Sequence, residues 1–285
     1  MDTEIAFKYL LELDKIFEEK KWKEKKNYEI VLNSLSSFAS NIIENDEEYE
    51  LILELLREFH WISLNEYYEG FTKLLNDFIA ELNVRNQNIY AFPIIKKKHE
   101  AKIKSGSFIS YLIKSILPYL PNSENLRFED INTFDNLANL KFKKSDVFIL
   151  VDDFIGSGET LDECINEINK VNKSLIENVK ILTLAIKKDT LERIDAKYKI
   201  YYNIEILKGI TDYNIDESVN NKKEIMKRIE NRIFSSIGNY SLGFKQSESL
   251  LTLLRTPDNT FPIFWNKYKK RIKLKPPFPR YEKAK

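Results

Sequence analysis

The run from Ser145 to Leu161, SDVFILVDDFIGSGETL, constrains the fold more than any other part of this chain. Four consecutive apolar residues, Phe148 to Val151, suit a strand buried on both faces, which is the environment of a parallel sheet covered by helices. Asp152 and Asp153 follow at once, so the strand must end where two carboxylates can meet solvent. Next comes FIGSGET. Gly156 and Gly158 permit backbone conformations that turn successive amides inward, and Ser157 and Thr160 add hydroxyl donors at a helix start. Carboxylates that accept from sugar hydroxyls therefore stand on one side of a turn whose amides cradle a monoester phosphate on the other.

The surrounding pattern repeats the arrangement. IYAFPII from Ile89 reads as a strand, KKKHEAKIKSGS as a basic loop and SFISYLIKSIL as a helix. Around the central run the spacing predicts strand 147–152, loop 153–158 and helix 159–171. Strand 179–186, helix 188–196 and strand 200–208 follow, then a helix over 219–237. Such alternation implies a parallel or mostly parallel sheet with ligands beyond the carboxyl ends of the strands. Before it, apolar residues recur at helical spacing from Asp2 to Leu82, as in Ile5, Tyr9, Leu13 and Phe17, with breaks expected at Asn27, Asn45–Asp46 and Ser63. The expected division is a helical region 1–84, an α/β core with a peripheral hood over 85–266, and a basic tail 267–285.

Composition narrows the chemistry. With Cys164 the only cysteine and His60 and His99 the only histidines, a soft-ligand zinc site is close to excluded. Carboxylates, backbone amides, lysines or a hard cation remain. There is no signal-like apolar run and no stretch long enough to span a bilayer, so a cytoplasmic protein with no membrane partner is expected. A net charge of +1 conceals an asymmetry: residues 1–80 hold 18 acidic and 9 basic side chains, whereas 267–285 hold nine basic ones against Glu282. Such a tail can touch nucleic acid, or it can pack on the acidic helices or a partner.

Rival motifs fit less well. A Walker loop needs lysine where Glu159 stands, and a dinucleotide fingerprint needs a third glycine. An amino-methyltransferase loop can resemble DDFIGSGET, but its companion motif would fall at Lys275–Phe278 and begin with a donor-only lysine. That alternative, and a chance loop without a ligand, stay open.

VDDFIGSGET closely resembles the 5-phosphoribosyl-1-pyrophosphate (PRPP) signature of type I phosphoribosyltransferases. Asp152, Asp153, Gly156, Ser157, Gly158 and Thr160 fall in register, with Glu159 at a variable position. EFHWISLNEY (58–67), KSGS (104–107) and RTPDNTFPIFW (255–265) further resemble a branch of that family found in bacterial conflict and anti-phage systems, including retrons. The resemblance implies a Rossmann-like α/β core preceded by helices. Its catalytic residues would be Asp152 and Asp153, which would hold ribose hydroxyls directly or through Mg²⁺. Gly156, Ser157, Gly158, Glu159 and Thr160 would take the 5-phosphate. Lys104, Ser105, Gly106 and Ser107 would form a nest for the pyrophosphate, helped by Lys96–Lys98. The implied ligand is PRPP or a ribose 5-phosphate nucleotide, with transfer to an unidentified acceptor or ligand sensing without turnover. Defence-system proteins or a nucleoprotein assembly are the implied partners. Arg255, Asp258 and Asn259 are candidates for acceptor recognition, whereas Phe261, Phe264 and Trp265 read better as core.

Overall fold

A computed structural model describes residues 3–82, 87–100, 105–177 and 179–281. The chain opens with helices α1 (Thr3–Glu19), α2 (Tyr28–Ile42) and α3 (Asp46–Glu58), then a two-residue strand β1 (His60–Trp61) and helix α4 (Leu64–Ala80). The expected breaks fall where they act. Asn27 takes a left-handed conformation ahead of α2, Asn45 accepts the Glu48 amide to cap α3, and Ser63 precedes α4. Next come β2 (Asn88–Pro93), α5 (Ser105–Ile116), β3 (Arg127–Asp130), α6 (Phe134–Asn139), β4 (Val147–Ile155) and α7 (Glu159–Val171). The chain continues through β5 (Lys180–Lys187), α8 (Lys188–Ile194), β6 (Lys199–Ile206), α9 (Glu217–Ile233) and β7 (Leu251–Thr252).

Two compact units result. One joins 1–63 to 207–285, and the other is 64–206. This differs from the expected division at 84 and 266, because helical periodicity reports an element's type but not which unit it packs into. Helix α4 lies on the sheet unit, making contacts with β5, β6 and α5. The described part of the tail, 267–281, belongs to the first unit, where Phe278 stacks on Phe59 at 5.2 Å.

In the first unit, α1–α3 and α9 share one core with Leu250, Phe261, Phe264 and Phe278. β1 and β7 pair in parallel, His60 opposite Leu251.

In the second unit five strands pair in the order β3-β2-β4-β5-β6, all parallel. The central strands are almost wholly buried: Phe148, Ile149, Leu150 and Val151 have no exposed surface. Residues of α6, α7 and α8 close one apolar core against Phe92, Phe148, Leu150 and Ile181, while α4 and α5 pack against each other and on the sheet. The strand order reverses between β2 and β4. A doubly wound sheet opens its ligand crevice at such a reversal, beyond the carboxyl ends of the two strands.

Candidate functional site

The two connections leaving β2 and β4 are the segments that the sequence singled out. β4 runs to Ile155, three residues beyond its expected end, because Asp152, Phe154 and Ile155 still pair with Thr183, Ala185 and Ile186 of β5. Both carboxylates thus sit on strand backbone, and the turn shrinks to Gly156–Gly158. Asp152 continues the parity of Phe148 and Leu150, and Asp153 faces the other way. Both are partly exposed.

Each carboxylate has a partner from a different helix. Ser105 Oγ, at the start of α5, donates to Asp152 Oδ1 at 2.5 Å, and the Asp153 amide reaches the same oxygen at 2.9 Å. Tyr67 of α4, fully buried, donates its hydroxyl to Asp153 Oδ2 at 2.8 Å. Desolvation, reinforced by the charge of Asp153, raises the Asp152 carboxyl well above the usual range, and its hydrogen bonds offset only part of this.

Gly158 takes φ 78°, ψ −4°, a left-handed conformation, and caps α7. It has no side chain to satisfy the first-turn amides, which are the donors that a helix start offers to an anion. A Cβ there would meet Arg193 Nη2 and Thr190 Cγ2 of α8. Thr190 Oγ1 also donates to the Gly156 carbonyl at 2.6 Å, and Arg193 pairs with Asp162 of α7 at 3.0 Å. Helix α8 therefore braces the turn from behind. Ser157 and Thr160 are partly exposed, and their hydroxyls take no partner among the described residues.

The KSGS segment is built differently from a loop nest. Lys104 lies outside the described residues, and Ser105, Gly106 and Ser107 form the first turn of α5. Gly106 serves close packing: a Cβ would stand 2.7 Å from Pro93 Cβ and 2.8 Å from the Val151 carbonyl. The start of α5 thereby comes down on the ends of β2 and β4, and a second set of first-turn amides borders the crevice. Lys96 pairs with Glu163 at 2.6 Å, and Lys97–His99 form a short 3₁₀ turn. Cys164 is buried 3.9 Å from the Pro93 carbonyl, and burial pushes its thiol up to about 12.

Thr190 and Arg193 belong to no local motif and escaped the sequence reading, and Tyr67, though it closes EFHWISLNEY, was given no role there. Arg255, Asp258 and Asn259 fall in the other unit, as do the buried Phe261, Phe264 and Trp265. So does Lys275–Phe278, the place of the methyltransferase companion motif. There Ser34 holds the Lys275 carbonyl at 2.5 Å, and Phe278 is a core residue.

A parallel sheet that reverses between β2 and β4, with carboxylates and a glycine turn on the second of these strands, defines a phosphoribosyltransferase-like α/β fold. Comparison with known families specifies it further: the PRTase-CE model matches residues 35–280, and the chain belongs to that family. No curated protein matches. Among solved structures, a hypothetical protein from Neisseria gonorrhoeae with bound ppGpp aligns at 11% identity and TM-score 0.34, over 59% of this chain and 96% of its own. Xanthine-guanine-hypoxanthine phosphoribosyltransferase from Helicobacter pylori aligns at 13% and 0.29, over 54% and 95%. Hypoxanthine-guanine phosphoribosyltransferase from Schistosoma mansoni, in complex with IMP, aligns at 14% and 0.27, over 49% and 64%.

Proposed function

We propose that the β4–α7 connection binds the 5-phosphoribosyl group of PRPP, and that the protein transfers this group to an acceptor with release of pyrophosphate. One observation carries the reading: two partly exposed aspartates and a side-chain-free helix cap lie within a single connection at the reversal of the sheet. Asp152 and Asp153 accept from the ribose hydroxyls, and the amides of Gly156 to Thr160, with the Ser157 and Thr160 hydroxyls, hold the 5-phosphate. In the transfer step the bond from C1 to the pyrophosphate oxygen breaks and a bond from C1 to the acceptor nucleophile forms, through a transition state with oxocarbenium character. Pyrophosphate leaves with the bonding electron pair, and the nucleophile sheds its proton. The protein acts mainly by positioning and charge stabilisation, with the first turn of α5 beside the departing anion.

The donor set suits Mg²⁺. No group of three or more acidic, histidine or cysteine side chains converges among the described residues. Magnesium takes one or two carboxylates and fills its remaining positions with water and substrate oxygens. Asp152 and Asp153 would hold it, and it would share the charge of the pyrophosphate.

Calorimetry with PRPP and Mg²⁺ tests the binding. Heat with a Kd in the micromolar range is expected for the intact chain and none for Gly158→Trp. Absence of heat with PRPP, ribose 5-phosphate and every nucleoside monophosphate would overturn the assignment.

A second reading, a pocket that senses such a ligand without turnover, draws on the same geometry. Ser105 and Tyr67 already engage one oxygen of each carboxylate, an arrangement that serves recognition as well as catalysis. Pyrophosphate release in cell extract, lost on Asp152→Asn with Asp153→Asn, separates the two. We further propose that the protein is an effector of bacterial anti-phage defence, on the strength of the EFHWISLNEY and RTPDNTFPIFW resemblances. Mass analysis of metabolites and nucleic acids after induced expression tests this through PRPP depletion or a phosphoribosyl adduct. If neither appears while PRPP binds in vitro, the effector role falls and the binding site stands.

A further inference from the structure

The tail presents its charge in an ordered way. Exposure alternates from Arg271 to Lys275: Arg271, Lys273 and Lys275 are exposed, while Ile272 and Leu274 pack against the core of the first unit. The backbone is pinned along its length. The Lys269 amide donates to the Ile233 carbonyl at 2.9 Å, Ser34 holds Lys275, and the Phe278 amide donates to the Phe264 carbonyl at 2.8 Å. Lys267 and Lys270 are exposed beside the strip. None of these five cations has an acidic partner among the described residues.

Acidic side chains are plentiful in the same unit, and several of them are engaged elsewhere. Glu12 takes Lys15 and Arg57, Asp14 and Glu18 take Lys23, Glu54 takes Lys222, and Glu44 and Glu48 take Arg232. The strip from Arg271 to Lys275 is therefore held by its apolar residues, and its three cations are left to solvent. Packing on the acidic helices, one of the two roles open to such a tail, is not what its charge does.

A second basic segment adjoins it through aromatic contacts. Phe278 meets half-buried Trp61 at 5.2 Å, and Trp61 meets Trp22 at 5.9 Å within the turn KKWKEKK (20–26). Lys25 Nζ stands 6.0 Å from the Trp61 ring, and Lys21 and Lys26 are exposed without an acidic partner among the described residues. Lys21, Lys26 and the five cations of the strip, without an acidic partner among the described residues and in the same unit as a half-buried indole, match the two demands of a nucleic-acid strand, phosphate neutralisation and base stacking. A membrane-binding face would instead turn its apolar residues outward.

We propose that Arg271, Lys273 and Lys275, with Lys267, Lys270, Lys21 and Lys26, form a binding face for a nucleic-acid strand. This stands apart from the phosphoribosyl reading, since every residue of the face lies in the first unit.

The test is fluorescence anisotropy of labelled mixed-sequence single strands, DNA and RNA, titrated with the intact chain from 50 to 250 mM salt. Parallel titrations use polyglutamate and phosphatidylserine vesicles. The triple variant Arg271→Glu, Lys273→Glu, Lys275→Glu is expected to bind at least about 30-fold more weakly and to lose about 2 from the log–log salt slope, at about 0.7 per lost phosphate contact on a single strand. These side chains are exposed, so the melting temperature should hold. Lys267→Glu with Lys270→Glu provides an independent variant, expected to weaken binding in the same sense. No binding of either strand at 50 mM salt, or binding that both variants leave unchanged, overturns the proposal. Variant-sensitive binding to polyglutamate or to vesicles in preference to strands also overturns it, by identifying an acidic protein or a membrane surface instead.

Discussion

Asp152 illustrates how a buried carboxyl opposes the stability of its own fold. Its carboxyl is raised by desolvation and by Asp153, so the folded chain keeps a proton that the unfolded chain has lost. Stability therefore falls as pH rises from the ordinary aspartate range through the folded value. Asp152→Asn removes the titration and still accepts from Ser105 and the Asp153 amide. It is expected to melt at a higher temperature than the parent at pH 7.5, with the advantage fading as pH falls below about 3, where both states of the parent are protonated. Scanning fluorimetry across that range checks the sign, and a less stable variant at neutral pH would refute it. Gly158 carries the converse argument. Alanine there meets both an unfavourable φ and the Arg193 and Thr190 side chains, so Gly158→Ala should cost about 1–2 kcal/mol in denaturant unfolding and, on the proposed function, weaken phosphate binding.

Among the elements, α4 does what its sequence does not announce. It precedes the sheet, yet its Tyr67 fixes the Asp153 carboxylate from 86 positions away. Tyr67→Phe keeps the ring and its edge contact with Phe108 and removes only the hydroxyl. On the proposed function, the affinity for ribose 5-phosphate should fall about 5- to 10-fold, the worth of one ordinary net hydrogen bond, and inorganic phosphate should bind as before. Equal losses for both would mean that the tyrosine is merely structural. The contrast between α4 and the β4–α7 unit shows what was legible. Val147–Val151 is apolar enough to declare a buried strand, Gly158 declares the turn, and α7 falls where its periodicity placed it. β3, by contrast, is an edge strand of alternating exposure reading RFED, whose partner is β2 and whose own sequence looks like a loop. β1 and β7 are two residues each and exist only because distant segments meet. Ser105–Ser107 read as loop because the helix start there is set by Gly106 packing on Pro93 and Val151, a tertiary fact.

At the scale of the molecule, the first unit is assembled from both ends of the chain, and one buried ion pair shows how the ends are joined. Arg232 of α9 donates to both oxygens of Glu48 at 2.8 and 3.0 Å, to the Ile42 carbonyl at 2.7 Å and to Glu44 at 2.6 Å. Desolvation alone would raise Glu48, but the hydrogen bonds from Arg232 and the Glu44 amide, with the Arg232 charge, outweigh it, and the carboxyl lies below its usual range. The stability it contributes is therefore fully present above the ordinary glutamate pKa and is lost as pH falls through the folded value. Arg232→Ala strands the Glu48 charge, whose side chain is 1% exposed, and should cost about 3 kcal/mol at pH 7. Acidification should narrow that difference as Glu48 takes up a proton. Trp22, Trp61 and Trp265, the chain's three tryptophans, all lie in this unit, so their emission during urea unfolding at pH 7 and pH 4 reads the effect where it arises. A difference that stays constant with pH would mean that Arg232 acts by packing alone, and that the two ends of the chain are held together without their charge.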